Sequence, residues 1–335
     1  MCMFLDKRGV LNSLFTDDSG GKRQLWIDGL RGLSMLVIVY YHCLLGKSRT
    51  DYSTLFVFLG PLNVSLFFVI SAFLFSSRGG DEKKFFKYIF FRLVIPWLII
   101  GSFPYYNFVD QFPRLLSGEK LWFMPALIIA EIVWFFIHKY TKKERWIIIY
   151  GLIVSSIGLV FYDIGFLNYG MINRALTVQW LFVVGYILRV HQEMLFNAIK
   201  NVMMYVSLLF IILGIIFCVL YPNQFFDVHL NKYYFIPLTW TYIILGVLIS
   251  FYWFKTCKKT SRLLKIIALV GQNTLMIYMF SGWVLRLFSS YRNVTPVYIY
   301  PFFAFFEMLI VVTICLTLSL LANQYMPLIV GRKRL

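Results

Sequence analysis

Charge is scarce in this chain. Only 14% of its 335 residues are Asp, Glu, Lys or Arg, against roughly 25% in a soluble globular domain, so water is not the main solvent of the folded protein. Acidic residues are the rarer sign, 15 against 32 basic ones. The four histidines, His42, His138, His191 and His229, show no zinc-ligand spacing with one another or with cysteine, so no metal centre is expected. The five cysteines, Cys2, Cys43, Cys218, Cys257 and Cys315, contain no C-x-x-C pair and are odd in number. Cys43, Cys218 and Cys315 fall inside apolar runs, where free thiols packed as small hydrophobes are expected. No cleavable leader is expected either. Residues 1–24 are mixed and polar (DKRGV, DDSGGKR), and no small-residue cleavage site follows a clean apolar core. Templates for soluble hydrolases and nucleotide enzymes are missing as well: there is no G-x-S-x-G elbow, no H-E-x-x-H and no P-loop.

What the chain has is apolar length: 60% of it is hydrophobic and 20% aromatic. Crossing a bilayer takes about 20 apolar residues, and ten stretches qualify: 25–45, 55–76, 85–103, 121–138, 146–162, 175–190, 202–221, 233–254, 266–287 and 297–321. Pro96 and Pro237 fall inside two of them, tolerable where neighbouring helices satisfy the freed carbonyl. Basic residues concentrate in alternate connections: Lys7, Arg8, Lys22 and Arg23, then Arg78 to Lys87, Lys139 to Arg145, Arg189 and Lys200, Lys255 to Lys265, and Arg332 to Arg334. The intervening connections are poorer in them. The positive-inside rule therefore predicts cytoplasmic termini. The same pattern accounts for the net charge of +17 through anionic lipid rather than nucleic acid, because the basic clusters are short and sit between apolar runs. No connection is long enough for a soluble domain. The expected fold is all-α, a polytopic membrane helix bundle of about ten transmembrane helices. It divides into a cytoplasmic tail (1–24), a transmembrane domain (25–321) and a basic cytoplasmic tail (322–335).

The first stretch, LWIDGLRGLSMLVIVYYHC, is unusual in carrying Asp28, Arg31 and His42. In a helix, Arg31 and His42 return to within about 20° of the same direction and stand about 16 Å apart along the axis. Asp28, three residues before Arg31, is its neighbour on the helix surface. Each residue alone has a plain explanation: a helix cap, an arginine reaching headgroups, a histidine bonded to a carbonyl. Three on one stripe point to a polar pathway or site, since ionisable groups within a membrane are expensive. Glu131, inside the fourth stretch, is flagged for the same reason.

The segment IDGLRGLSMLVIVYYH resembles the N-terminal signature of the acyltransferase-3 family of integral-membrane O-acyltransferases, which has a D-G-L-R-G element and an arginine and histidine separated by ten residues. Further elements resemble the family in order: NVSLFFVISAFLF (63–75), with Ala72 where a glycine is usual; FFRLVIPWLI (90–99); LWFMPALIIAEIV (121–133); and GQNTLMIYMF (271–280). Two departures stand out. Where the family commonly has R-x-x-R, this chain has Arg92 with Ile89 before it and Lys87 as the nearest substitute. Where many members have a histidine after I-Y-x-x, it has Ser281.

The resemblance implies transfer of an acyl group, most often acetyl from acetyl-CoA, to a sugar hydroxyl of a cell-surface or exported glycan, in a bacterial inner membrane. It implies His42 as general base and Arg31, Arg92, Asp28 and Lys87 at the donor end, with Asp28 orienting Arg31. Acetyl-CoA is then a substrate, and no permanently bound cofactor is expected. The implied partners are acetyl-CoA, a glycan or lipid-linked sugar, and the bilayer. The H-x-x-x-x-D element of glycerolipid acyltransferases is absent. Two rivals remain: a secondary transporter or glycan flippase, and a non-catalytic member of the same family.

Overall fold

A computed structural model describes residues 24–48, 50–75, 81–102, 113–118, 121–163, 171–222, 227–228, 233, 235–258 and 261–326. Among these residues there is helix and no strand element. The first stretch is one helix, α1 (Leu25–Leu45). The second is α2 (Ser53–Leu59) and α3 (Val64–Phe75), joined by a 3-10 turn at Gly60–Leu62 where Pro61 cannot donate to the ladder. The third is α4 (Glu82–Ile89) and α5 (Ile95–Ser102), joined by a π turn at Phe90–Val94. Pro96 has no N–H for the carbonyl of Arg92, and the helix widens just ahead of it. Asp81 caps α4 by accepting from the Lys84 backbone N–H (3.3 Å), and that bond holds its carboxyl below the ordinary carboxylate range.

Two long helices follow, α6 (Phe123–Tyr140) and α7 (Glu144–Asp163), then two short ones, α8 (Ile172–Thr177) and α9 (Gln179–Val190). Next come α10 (Gln192–Leu220) and α11 (Ile236–Thr256), with Pro237 in the first turn of α11, where a proline disturbs no hydrogen bond. The chain ends with α12 (Arg262–Gln272), α13 (Thr274–Arg286), the short α14 (Ser289–Val294) and α15 (Tyr300–Tyr325).

The protein is an all-α, polytopic membrane helix bundle. Eight described helical stretches are long and apolar enough to cross a membrane, or nine if α12 and α13 count as one bent span. The remaining stretch of the sequence reading, 175–190, becomes α8 and α9, and the longer of them has 12 residues. The stretch 266–287 is not a straight helix. It breaks between Gln272 and Thr274, and its halves differ in direction by 79°. The termini lie outside the described residues.

Burial runs opposite to what a soluble protein shows. In an 18-residue apolar stretch of α1, 72% of the residues are buried inside the protein, against 22% in α10, which turns Met204, Leu208 and Val219 outward. In lipid, apolar side chains lose nothing by facing out, so the polar helix takes the centre. The most extensive helix pairing is α1 with α12, followed by α9 with α3; α15 packs on both α13 and α1.

Candidate functional site at the two ends of the first helix

The D-G-L-R-G element folds as it does because its glycines let another backbone touch it. A Cβ on Gly32 would overlap the Ile267 carbonyl of α12, and one on Gly271 would overlap the carbonyl of Asp28. Gly29 leaves room for Phe254 and Leu264. Such contact is the usual device for close helix approach in membranes, where small residues take the place of a hydrophobic driving force. It fixes the height at which Asp28 and Arg31 sit.

Asp28 is buried, 4% exposed, and lies beyond the cap position, which Gln24 occupies. Its Oδ2 accepts from Gln272 Nε2 at 3.4 Å, at the break between α12 and α13. The break has its own polar hub. Asn273 Oδ1 accepts from Ser319 Oγ (2.8 Å) and Asn323 Nδ2 (3.2 Å) on α15, while its Nδ2 donates to the Leu269 carbonyl (2.8 Å). A helix broken inside a membrane frees backbone groups, and irregular backbone is stable there only when surrounding protein satisfies it. Arg31 is half-buried between the two glycines. Lys87 and Arg92 are exposed, and Arg92 lies over the Tyr88 ring at 5.3 Å. Their segment packs on α6 and α13. The structure thus joins Asp28 to α12 beside Arg31, while Lys87 lies on α4 and Arg92 in the π turn after it.

His42 stands at the opposite end of α1. Its side chain is exposed, with Asp227 and Arg292 within electrostatic reach. Around it the last turn of α1 is tied to distant segments. Tyr300 Oη lies 2.9 Å from the Cys43 carbonyl and 3.1 Å from Glu307 Oε2. Glu307 Oε1 accepts from Arg292 Nε (3.1 Å) and Nη2. Tyr52 Oη donates to the Val297 carbonyl (2.8 Å), and Tyr40 Oη to that of Pro301 (3.2 Å).

Sequence reading singled out neither Arg292 as more than a loop cation nor Glu307 at all. The signal was present, since Glu307 is an acid inside an apolar stretch, as Glu131 is. Glu131 is buried in α6, 2% exposed. The other histidines differ from His42. His138 is packed among Trp134, Tyr186 and Phe75, and His191 meets Glu144 at 2.5 Å. His229 lies outside the described residues.

A family model described as an acyltransferase domain, that of the acyltransferase-3 family, matches residues 24–322. The chain belongs to that family. No curated protein and no solved structure matches it. The acyltransferase-3 elements converge in three dimensions. Ala72, in the usual glycine position, faces Gly185 of α9, where a Cβ would crowd it, so the position calls for a small residue. Tyr278 of the GQNTLMIYMF element accepts from the Phe123 backbone N–H (3.3 Å) at the start of the LWFMPALIIAEIV element. Ser281, in place of the usual histidine, is buried and donates to the Tyr278 carbonyl (3.2 Å) of its own helix. The chain is accordingly a multi-pass membrane acyltransferase by family.

Proposed function

We propose that this acyltransferase-3 protein is an O-acetyltransferase that moves acetyl from acetyl-CoA to a hydroxyl of a sugar in a cell-surface or exported glycan, with His42 as general base. The observation that carries the reading is His42 itself: an accessible imidazole on the most buried of the described spans, about 16 Å up the helix from Arg31. On this reading the Asp28 end of α1 is cytoplasmic and receives the anionic end of CoA. Arg31 binds phosphate through charge-assisted hydrogen bonds, Asp28 holds the helix break beside it, and Arg92 and Lys87 add positive charge at the same face. The pantetheine arm lies along α1 and brings the thioester to His42.

A sugar hydroxyl is far too weak an acid to attack as alkoxide at neutral pH. His42 takes its proton as the oxygen adds to the thioester carbonyl. The tetrahedral adduct collapses, the C–S bond breaks, and the CoA sulfur leaves with the proton carried by the imidazolium. The product is the O-acetyl sugar and CoA-SH, with His42 neutral again. Transfer is direct in this scheme.

The test is acetyl incorporation into surface glycan in cells making wild type or His42→Ala at equal membrane levels. General-base loss predicts a drop of about 100-fold or more; retained incorporation removes His42 from the chemistry. A second reading has one observation in its favour. Helices broken within the membrane, like α12 and α13, also build transporter sites. Acetyl-CoA consumption by purified protein separates the two, since a transporter leaves the thioester intact.

A further inference from the structure

The Arg292–Glu307 pair is buried, with side chains 11% and 7% exposed, whereas the pairs Lys84–Asp81, Lys139–Glu82 and His191–Glu144 are at least a third exposed. Buried pairs contribute little to stability, because desolvation offsets their attraction. Stability alone is thus a poor reason for this one. Its placement offers a better reason. The Arg292 guanidinium packs against Gly46, where a Cβ would overlap it, and the Gly46 N–H donates to the His42 carbonyl (3.1 Å). Tyr300 Oη reaches the Cys43 carbonyl and Glu307 together, so its single proton couples the carboxylate to the residue after His42. Arg292 and Tyr300 touch the turn that carries the imidazole, and Glu307 is bonded to both of them.

We propose that Arg292, Glu307 and Tyr300 are positioning residues for His42. Tyr300 and Arg292 fix the last turn of α1, and Glu307 balances the Arg292 charge so that a proton can arrive on the imidazole without an unopposed cation beside it. The unit rests on the reading of His42 as base and deepens it. Other titratable groups at this end are Asp227 ahead of α11, Arg174 of α8 within reach of Asp227, Lys47 just past α1 on the Asn293 carbonyl, Asp51 beside Tyr52, Tyr52 itself stacked on Tyr300, and Tyr40 and Cys43 on α1. All of them are kept constant in the variants below.

The experiment uses the full-length protein in lipid nanodiscs. Diethylpyrocarbonate acylates only neutral imidazole, so its rate at the His42 peptide, followed by mass spectrometry across pH, reads the proton affinity of His42 without any acceptor sugar. Glu307→Gln leaves Arg292 unbalanced and lowers the midpoint by about one pH unit, the scale of a nearby like charge. Arg292→Met leaves Glu307 unbalanced and raises it by a similar amount. The double variant, Arg292→Met with Glu307→Gln, returns it to the wild-type value. Either single variant suffices should the other fail to accumulate. In parallel, Tyr300→Phe lowers kcat for acetyl transfer several-fold with the KM for acetyl-CoA unchanged. Midpoints that do not move in folded single variants overturn the charge balance, and an unchanged kcat in Tyr300→Phe overturns the tether. Full transfer by His42→Ala instead overturns the base reading, so the two failures are told apart.

Discussion

α1 and α10 invert the relation between polarity and depth familiar from soluble proteins. α10 spans 29 residues, is the more apolar of the two, and has 22% of an 18-residue apolar stretch buried; α1 carries Asp28, Arg31 and His42 and has 72% of such a stretch buried. A soluble domain would bury α10 and expose α1. Here lipid is the solvent, so an apolar side chain gains nothing by moving inward, while a charged one has polar partners only inside. The interior helix is therefore chosen by its polar groups, and its position is held by backbone contact at glycine.

That contact is where the comparison breaks most violently. Gly32→Val places a branched side chain on the Ile267 carbonyl, and the obstruction is backbone that no rotamer change can clear. Complete loss of folded protein is expected, read as disappearance of the monodisperse peak by size-exclusion chromatography in detergent. A folded Gly32→Val protein would show that α1 and α12 are not in backbone contact. Next in size is Leu30→Ala on α1, fully buried. A buried leucine truncated in a packed core costs about 2–5 kcal/mol, measurable as a fall in the unfolding midpoint in mixed micelles. A loss no larger than that of a lipid-facing leucine would contradict the central place of α1.

Asn273→Ala follows. It removes the acceptor for Ser319 and Asn323 and the donor to Leu269, leaving polar groups unpaired at the helix break. Each unsatisfied buried group costs about 1–3 kcal/mol. The midpoint should fall, and donor binding should weaken with it because Gln272 next door holds Asp28. Weakened stability with intact affinity for acetyl-CoA would separate the break from the donor end.

Much of the bundle was legible in the sequence, for a definite reason. Apolar length and the spacing of basic clusters report on the bilayer directly, and 25–45 is the helix Leu25–Leu45 to the residue. What composition does not encode is direction. The break at Gln272–Asn273 lies in a run apolar enough, taken whole, to cross a membrane, and the side chains that satisfy it, Ser319 and Asn323, come from a distant part of the chain. The stretch 175–190 qualifies as a span on the same criterion and is cut at Val178 between two short helices. The candidate site divides similarly. The Arg31–His42 spacing is local and visible. The Arg292, Glu307 and Tyr300 group is visible only once α14 and α15 return to the end of α1, because each residue alone reads as a loop cation, a stray acid or an interfacial tyrosine.

The smallest effect expected is the sharpest control for the rest. Leu208 sits on α10 with 53% of its surface exposed, and Leu208→Ala is the same chemical change as Leu30→Ala. In the folded bundle Leu208 faces lipid, and in the unfolded helix it still faces lipid. Truncation therefore removes contacts that lipid tails replace and leaves no cavity. The expected change is within about 0.5 kcal/mol, the range for exposed sites away from special features. A cost near that of Leu30→Ala would mean that α10 is covered in the membrane by a partner, since only protein on that face would leave a void when the side chain is cut back.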